Sequence, residues 1–236
     1  MRHVSVIIPA AGSGQRFGGD ENKIFARMGK GPMFLRTLEA FCNRSDVCQT
    51  ILVCSPDDLP KIRETYGGHL SLLGVDVVEG GTTRSDSVRN ALAIVSEEAT
   101  LIAVHDAARP CIAGPWIDRV FDMAETTGAS LLAVPVHGTC KRVDAQNIVT
   151  ETPERTGDLW EAQTPQVFEA KLLRDAYAAG DAATDDAALV EAAGHPVTVV
   201  PGDLRNIKVT TADDLHFARD VIGTIPSSNT NNPFGI

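Results

Sequence analysis

Strand-like and helix-like segments alternate along most of this chain, and that alternation limits its fold more than any other feature of the sequence. Short apolar runs rich in β-branched residues are typical of buried strands. They fall at 4–9, 50–54, 75–78, 101–104, 130–134 and 197–200. Apolar residues at helical spacing lie between them, and helices are predicted at 34–42, 57–66, 85–95, 115–127, 169–179, 185–193 and 211–223. This order predicts an α/β fold with a mostly parallel sheet and helices on both faces.

The stretch of about 136–164 interrupts the alternation. Polar and apolar residues alternate within it, as at Lys141-Arg142-Val143-Asp144, and it is too long for an ordinary connection. We therefore predict a β-hairpin or arm that protrudes from the fold and serves dimerisation. Residues 1–225, with the arm, are expected to form a single domain. The tail 226–236 is rich in Ser, Asn and Pro and is expected to be disordered.

Composition limits the classes of partner. With 236 residues, of which 43% are hydrophobic, the chain can bury one substantial core. Its formal net charge of −10 argues against an extended basic surface for nucleic acid, yet a few cations can still hold a small phosphorylated ligand. No apolar run approaches the roughly 20 residues that span a bilayer, and the N-terminus lacks the features of a signal peptide. We expect a cytoplasmic protein that binds neither nucleic acid nor membranes.

The five cysteines give no sign of a disulfide framework or a zinc site. Their number is odd, and no Cys-x-x-Cys motif occurs. All five are predicted to be small buried hydrophobic residues.

A glycine-rich segment, 9–19, follows the first strand and is the first candidate site. Glycines at this position allow backbone amides to approach a phosphate closely. Neither the Gly-x-Gly-x-x-Gly spacing of dinucleotide-binding folds nor the Gly-Lys-Ser/Thr of a P-loop is present. Arg16 and Lys23 follow the glycines, and amides combined with cations suit a polyphosphate. A tight turn with two surface cations is the alternative.

A second candidate, His105-Asp106-Ala107-Ala108-Arg109-Pro110, follows a predicted buried strand. Ligands of open α/β sheets bind at the carboxyl ends of the strands. An aspartate there can hold Mg²⁺ or a ribose hydroxyl, and the alternative is a turn aspartate paired with Arg109. His105 is expected to be a packed residue and not a catalytic base.

Two further segments carry weaker signals. Residues 80–87, Gly-Gly-Thr-Thr-Arg-Ser-Asp-Ser, lead into a predicted helix, whose N-terminus and hydroxyls suit a phosphate or a base edge. A helix cap is a fully adequate explanation for one of the serines. Lys208 lies between a late strand and the last helix and says little by itself.

Taken together, these segments resemble a known family. The resemblance rests on Pro9 to Arg16, Gly81 to Ser87, Val104 to Pro110, Thr164-Pro165-Gln166, Thr184-Asp185 and Asn206 to Thr210, in that order and spacing. From about Val4 to Gly223 the chain resembles the 2-C-methyl-D-erythritol 4-phosphate cytidylyltransferases. The resemblance implies a Rossmann-like sheet, a homodimer with an exchanged arm, and Mg²⁺ as cofactor. It also implies transfer of CMP from CTP to methylerythritol phosphate, giving 4-diphosphocytidyl-2-C-methyl-D-erythritol and pyrophosphate.

The resemblance also implies residue roles. Arg16 and Lys23 correspond to cations that stabilise the transition state. Arg155 and Lys208 correspond to cations that position the acceptor phosphate, with Arg155 on the arm serving the partner's site. The nucleotide and the metal correspond to one group of residues: Ala10, Ala11, Gly12, Gly14, Gly81, Ser87 and Asp106, with Asp106 near the ribose and the metal. The acceptor corresponds to a second group: Arg109, Thr139, Thr164 and Thr184.

The chain departs from the family pattern in places. The family usually has Pro-Lys-Gln where this chain has Asn22-Lys23-Ile24. Losing the proline removes a φ restraint, so we expect a looser loop and a less well placed Lys23. Arg205, just before Asn206, adds a cation that we expect to alter acceptor affinity. The spacing from Arg155 to Trp160 is one residue longer than in some relatives.

Several alternatives share much of this pattern. A ribitol 5-phosphate cytidylyltransferase would share the fold and most motifs, and a few pocket residues would decide between the acceptors. More distant alternatives are a transferase that uses UTP or GTP and a non-catalytic module that binds CTP without releasing pyrophosphate. A dehydrogenase fits least, because the dinucleotide fingerprint is absent.

Overall fold

The computed structural model describes residues 2–12, 17, 22–154, 157–180 and 185–226. Seven strands form the central sheet: β1 Val4–Pro9, β4 Val47–Cys54, β5 Val75–Glu79, β6 Leu101–Val104, β7 Ala129–Pro135, β10 Trp160–Glu169 and β11 Thr198–Pro201. Across the sheet they lie in the order β11-β7-β10-β6-β1-β4-β5. Two short hairpins complete the strands: β2 Arg27–Met28 with β3 Gly31–Pro32, and β8 Arg142–Val143 with β9 Val149–Glu151.

The sheet is parallel except for one strand. Strand β1 pairs in parallel with β4 and β6, β4 with β5, and β11 with β7. Strand β10 runs antiparallel between β6 and β7. The prediction of a mostly parallel sheet is confirmed. The sequence-based prediction lacks β10, because it places residues 160–164 in the arm.

Helices cover both faces of the sheet, as predicted. The α-helices are α1 Met33–Cys42, α2 Leu59–Lys61, α3 Gly67–Leu72, α4 Arg84–Leu92, α5 Gly114–Thr127, α6 Ala170–Ala179, α7 Asp186–Ala192 and α8 Ala212–Val221. A π-helical turn, Ile62–Tyr66, joins α2 to α3, and 3₁₀ turns occupy Lys23–Phe25 and Ile222–Thr224. Because successive strand residues point to opposite faces, Val6 and Ile8 pack in the core under α1 and α5. Ile7 packs in the second core, under α4, α6 and α7.

A capping box starts α4 and fixes the chain at the edge of the sheet. The backbone N–H of Asp86 donates to Thr83 Oγ1 at 3.0 Å, and the N–H of Thr83 donates to the Asp86 carboxylate at 3.0 Å. Such reciprocal bonds satisfy amides that the first turn of a helix leaves without partners. Arg84, the first residue of α4, therefore has a fixed backbone.

The arm is a hairpin, as predicted. Strands β8 and β9 pair antiparallel, and Val143, Val149 and the preceding Ile148 are exposed to solvent. Its role in dimerisation stays a prediction. The predicted disordered tail lies outside the described residues from 227 onward.

The cysteine prediction was right about pairing and partly wrong about burial. All five are free thiols. Cys54 and Cys111 are buried, and burial raises the pKa of the Cys54 thiol to about 12. Cys48 and Cys140 are exposed, because one lies near the start of β4, beyond the covered part of the sheet, and the other lies beside the arm.

Among the described residues, no helix combines the length and the apolar character that crossing a membrane requires.

Candidate active site

The candidate segments meet at the edge where β1, β4, β5 and β6 reach their carboxyl ends. Ala10 follows β1 and donates its N–H to Val53 O at 2.8 Å. Gly80 follows β5 and donates to Cys54 O at 2.7 Å. His105 follows β6 and donates to Ile7 O at 2.9 Å. These backbone bonds extend the ladder past the strand ends and bring the loops together at one edge.

Asp106 lies at the centre of this edge and is surrounded by cations. Its carboxylate oxygens lie 2.9 Å from Lys208 Nζ, 3.6 Å from Arg109 Nε and 3.7 Å from Arg84 Nε. Burial alone would raise the pKa of Asp106, but the charges of Lys208, Arg84 and Arg109 outweigh it and hold that pKa well below its usual value. Asp106 is therefore an anion at physiological pH and cannot act as a proton donor.

The cations line an open cleft of about 230 Å³. Four predicted residues lie together in its wall: Asp106, Arg109, Thr164 and Lys208. The wall also contains residues that the sequence interpretation did not assign to the site: Arg84, Ala162, Gln163, Gln166 and Asp185. Arg84 lies in the candidate segment 80–87, but a helix cap at that segment accounts for its residues without a role in the site. The glutamines lie on the unpredicted strand β10.

Arg109 has an unsatisfied N–H beside the cleft. The side chain is 8% exposed, and its Nη1 donates to Asn206 O at 2.8 Å. Its Nε is buried and has no hydrogen-bond partner among the described residues. Asp106 is too far at 3.6 Å to accept a normal hydrogen bond. Since a buried unpaired donor costs about 1–3 kcal/mol, an anion in the cleft would gain by accepting this bond.

His105 and Thr164 hold the turn that carries Asp106. The Thr164 hydroxyl accepts from the Asp106 N–H at 3.1 Å and lies 3.0 Å from His105 Nδ1. His105 Nε2 lies 3.1 Å from Arg109 O. The imidazole is fully buried, and burial lowers its pKa to about 4, so it is neutral at pH 7. The prediction of a packed histidine is confirmed.

Two predicted nucleotide-side segments, 10–12 and 81–87, lie next to each other. The Gly81 N–H donates to Ser87 Oγ at 3.1 Å, and that hydroxyl donates to Thr83 O at 2.9 Å. A Cβ added to Gly80 would lie 2.7 Å from the Cβ of Ala11. The segments at Ala10–Gly12 and Gly80–Ser87 are thus in van der Waals contact, and a side chain at Gly80 would push them apart.

Asn22 stands where the family usually has proline, and its side chain restrains the turn through hydrogen bonds. Its Nδ2 donates to Gly12 O at 3.1 Å and to Asp58 Oδ2 at 2.7 Å, and its Oδ1 accepts from the Ile24 N–H at 3.3 Å. These bonds fasten the half-buried Lys23 turn to the segment after β1. The looser loop stays a prediction, since residues 13–16 and 18–21 lie outside the described part of the chain.

Four of the remaining predicted residues fall outside the part of the chain that the structure describes: Gly14, Arg16, Arg155 and Thr184. Thr139 lies between β7 and β8 and lines a small separate cavity with Val136, Pro153 and Leu159. The reason is that the arm, which carries Thr139, leaves the sheet there.

The contacts of Arg205 are structural. Its guanidinium pairs with Asp203 at 2.7 Å and lies 5.7 Å from the centre of the Trp116 ring. Arg205 does not line the cleft, so the structure gives no support to its expected effect on the acceptor. Its cation instead neutralises Asp203, the neighbouring carboxylate.

The cleft residues do not fit a metal ion held by the protein. The described residues contain no group of three or more His, Cys, Asp or Glu side chains that could hold one. The predicted ligand, Asp106, has cations within 4 Å of both carboxylate oxygens. A divalent ion bound there would be repelled by Lys208, Arg84 and Arg109.

Comparison with known proteins agrees with the fold and the motifs. The profile of the family described as 2-C-methyl-D-erythritol 4-phosphate cytidylyltransferase matches residues 4–224. A protein of that name from Rhodopirellula baltica is 42% identical over 232 residues, covering 93% of this chain and 94% of the relative. One from Alkaliphilus metalliredigens is 40% identical, covering 93% and 92%.

Solved structures give the same result. The crystal structure of 2-C-methyl-D-erythritol 4-phosphate cytidylyltransferase from Thermus thermophilus superposes with a TM-score of 0.77 at 33% identity, covering 94% of this chain and all (100%) of that one. The Francisella tularensis structure gives a TM-score of 0.76 at 31% identity, with 92% and 98% covered. The chain belongs to the 2-C-methyl-D-erythritol 4-phosphate cytidylyltransferase family.

Proposed function

We propose that this chain transfers CMP from CTP to 2-C-methyl-D-erythritol 4-phosphate, releasing pyrophosphate and giving 4-diphosphocytidyl-2-C-methyl-D-erythritol. One observation carries the proposal. Arg84, Arg109 and Lys208 come from separate parts of the chain and converge on one cleft of about 230 Å³. The nucleotide-side segment Gly80–Ser87 adjoins that cleft through Arg84, so two phosphorylated substrates can meet there.

The reaction needs no general base from the protein. A phosphomonoester has its second pKa near 6, so the acceptor phosphate is largely a dianion at neutral pH. The histidine at the site, His105, is buried and holds the turn. The acceptor oxygen attacks the α-phosphorus of CTP directly, the bond to the bridging oxygen breaks, and pyrophosphate leaves with the electron pair.

The main barrier is repulsion between two anions. Cations and amides that are fixed before the substrates arrive lower this barrier without reorganising during the reaction. In this proposal Lys208 and Arg109 hold the acceptor phosphate. Lys23, with Arg16, stabilises the charge that builds on the phosphates of CTP.

Magnesium enters this scheme with the nucleotide. Mg²⁺ commonly binds through substrate phosphates and water, with few protein ligands. We propose that CTP arrives as its magnesium complex, so the ion belongs to the substrate. Asp106 then keeps Lys208, Arg84 and Arg109 together in the cleft wall.

The arm is proposed to join two copies of the chain. Val143, Ile148, Val149 and Trp160 all expose a large apolar surface on or beside the hairpin. A two-stranded hairpin is marginally stable by itself in water, and exposed apolar patches mark association surfaces. We propose a homodimer in which each arm covers the other subunit and carries Arg155 to the partner's site. Since CTP is a cytoplasmic metabolite, the proposed compartment is the cytoplasm.

The test is pyrophosphate release by the purified chain. We expect release that requires CTP, methylerythritol phosphate and Mg²⁺ together. Matched reactions replace the acceptor with ribitol 5-phosphate, or CTP with UTP or GTP. Faster turnover with ribitol 5-phosphate than with methylerythritol phosphate would identify ribitol 5-phosphate as the acceptor. CTP binding without release under any condition would identify a non-catalytic nucleotide-binding module.

A further inference from the structure

A chain of polar contacts links the packed space between α6 and α7 to the cleft. The hydroxyl of Tyr177, on α6, donates to Asp186 Oδ1 at 2.5 Å. The other oxygen of Asp186, Oδ2, accepts from Arg84 Nη2 at 2.6 Å. Asp186 is the first residue of α7 and is 0% exposed. Tyr177 and Asp186 do not line the cleft, whereas Arg84 does.

The burial of Asp186 makes these bonds obligatory. A buried carboxylate is stable only when it is paired and hydrogen-bonded, because removing its hydration costs several kcal/mol. Arg84 supplies the opposite charge on one oxygen, and Tyr177 satisfies the other. Both carboxylate oxygens of Asp186 therefore have a hydrogen-bond partner, and the carboxylate cannot rotate without losing one of them.

Asp186 limits how closely Arg84 approaches the second carboxylate nearby, Asp106. Arg84 Nε lies 3.7 Å from Asp106 Oδ1, beyond normal hydrogen-bond distance, while its Nη2 is bonded to Asp186. The Arg84 side chain remains 30% exposed. Lys208, by contrast, is already in contact with Asp106 at 2.9 Å. Without Asp186, the attraction between Arg84 and Asp106 would draw the two together.

We infer that Tyr177 and Asp186 are positioning residues that keep Arg84 available as a third cation for the acceptor phosphate. This inference rests on the proposed function of the cleft and adds a source of its specificity. Tyr177 fixes Asp186, Asp186 fixes the guanidinium, and the exposed edge of Arg84 faces the anion.

Two conservative variants test the inference. Tyr177→Phe removes one hydroxyl and changes no charge. We expect it to raise the KM for the acceptor by about fivefold, which corresponds to the net stabilisation by one hydrogen bond. Asp186→Asn keeps the shape and removes a negative charge near the cleft. If Asp186 acted only through its charge, this variant would bind the acceptor phosphate more tightly. Positioning predicts the opposite, a raised KM.

The kcat and the KM for CTP are measured in the same experiment, with Tyr66→Phe as the matched control. Tyr66 packs on Phe25 and Phe34, away from the cleft. A raised acceptor KM in both test variants, with kcat and the KM for CTP within about twofold of wild type and the control unchanged, supports the inference. An unchanged acceptor KM in Tyr177→Phe, or a lowered one in Asp186→Asn, would overturn it. Tyr177→Phe decides the matter if Asp186→Asn fails to fold.

Failure of the proposed function is distinguishable from failure of this inference. If the proposed function is wrong, wild-type protein releases no pyrophosphate with methylerythritol phosphate. Calorimetric titration of wild type and Tyr177→Phe with inorganic phosphate then tests the positioning directly. Weaker phosphate binding by the variant supports the inference, and equal binding refutes it.

Discussion

The ammonium nitrogen of Lys208 lies 2.9 Å from the carboxylate of Asp106, although the two residues are far apart in sequence. The contact brings the segment before α8 against the turn after β6. Of the three cations around Asp106, Lys208 lies nearest and lowers its pKa most. An anionic substrate in the cleft would compete with Asp106 for Lys208, and that competition can be measured.

Replacing Lys208 by Ala should lower kcat/KM for the acceptor by about 10²- to 10³-fold, the usual effect of removing one preorganised charge. The KM for CTP should change little. Steady-state pyrophosphate release measures both values. Lys171→Ala is the control, since Lys171 pairs with Asp175 on an exposed face of α6. An unchanged kcat/KM in Lys208→Ala would show that Lys208 does not take part in acceptor binding.

Asn22 and Asp58 should act as a unit. Asn22→Ala and Asp58→Ala each remove the 2.7 Å bond that fastens the Lys23 turn, and we expect each to lower kcat by about tenfold. Because both variants break the same link, the double variant should be little worse than either single one. Fully additive losses would show that the two residues act independently of each other.

The buried imidazole of His105 should make stability depend on pH. Its folded-state pKa of about 4 lies below the usual 6.5, so the unfolded chain binds the extra proton between these values. Stability therefore falls as the pH drops from 6.5 towards 4, by up to about 3 kcal/mol from this group. Urea unfolding at several pH values measures the slope. His105→Gln should flatten it relative to wild type, and an unchanged slope in this variant would contradict the prediction.

Charges placed on the arm should separate the proposed dimer. Val143→Asp and Ile148→Asp put carboxylates on side chains that are 48% and 63% exposed. We expect the mass in light scattering to fall to that of one chain, with a parallel loss of activity. Leu72→Asp, at another exposed apolar position, is the control. A wild-type protein that is already monomeric at assay concentration would contradict the proposed exchange of arms.

Much of the fold was predictable because its parallel strands are buried on both faces. Such strands are continuous apolar runs, and the runs ending at Pro9, Cys54 and Val104 indicated both the sheet and its ligand-binding edge. The convergence of Asp106 and Lys208 followed from the family resemblance, since Lys208 by itself carried no signal.

Strand β10 escaped prediction for a physical reason. Its middle contains Gln163, Thr164 and Gln166, polar residues that are typical of a loop. In the structure they are buried and paired: Asn206 Nδ2 donates to Gln163 Oε1 at 3.2 Å, and Gln166 Nε2 donates to Asp185 at 2.8 Å. The partners lie far along the chain and become neighbours only in the folded protein. Arg84 likewise carries no separate signal in the sequence, because the helix cap beside it explains its motif and its partner Asp186 is distant in sequence.

Strand β10 begins beside the arm and ends in the middle of the sheet. Trp160 pairs with Pro135 at the outer end, and Gln166 pairs with Val104 in the interior. One strand, whose pairing with β7 shifts register between Ala162 and Gln166, therefore connects the hairpin region to the wall of the cleft. If the proposed exchange of arms takes place, tension on the hairpin would reach Gln163 and Thr164 along this strand, and association of subunits would then be mechanically coupled to acceptor binding.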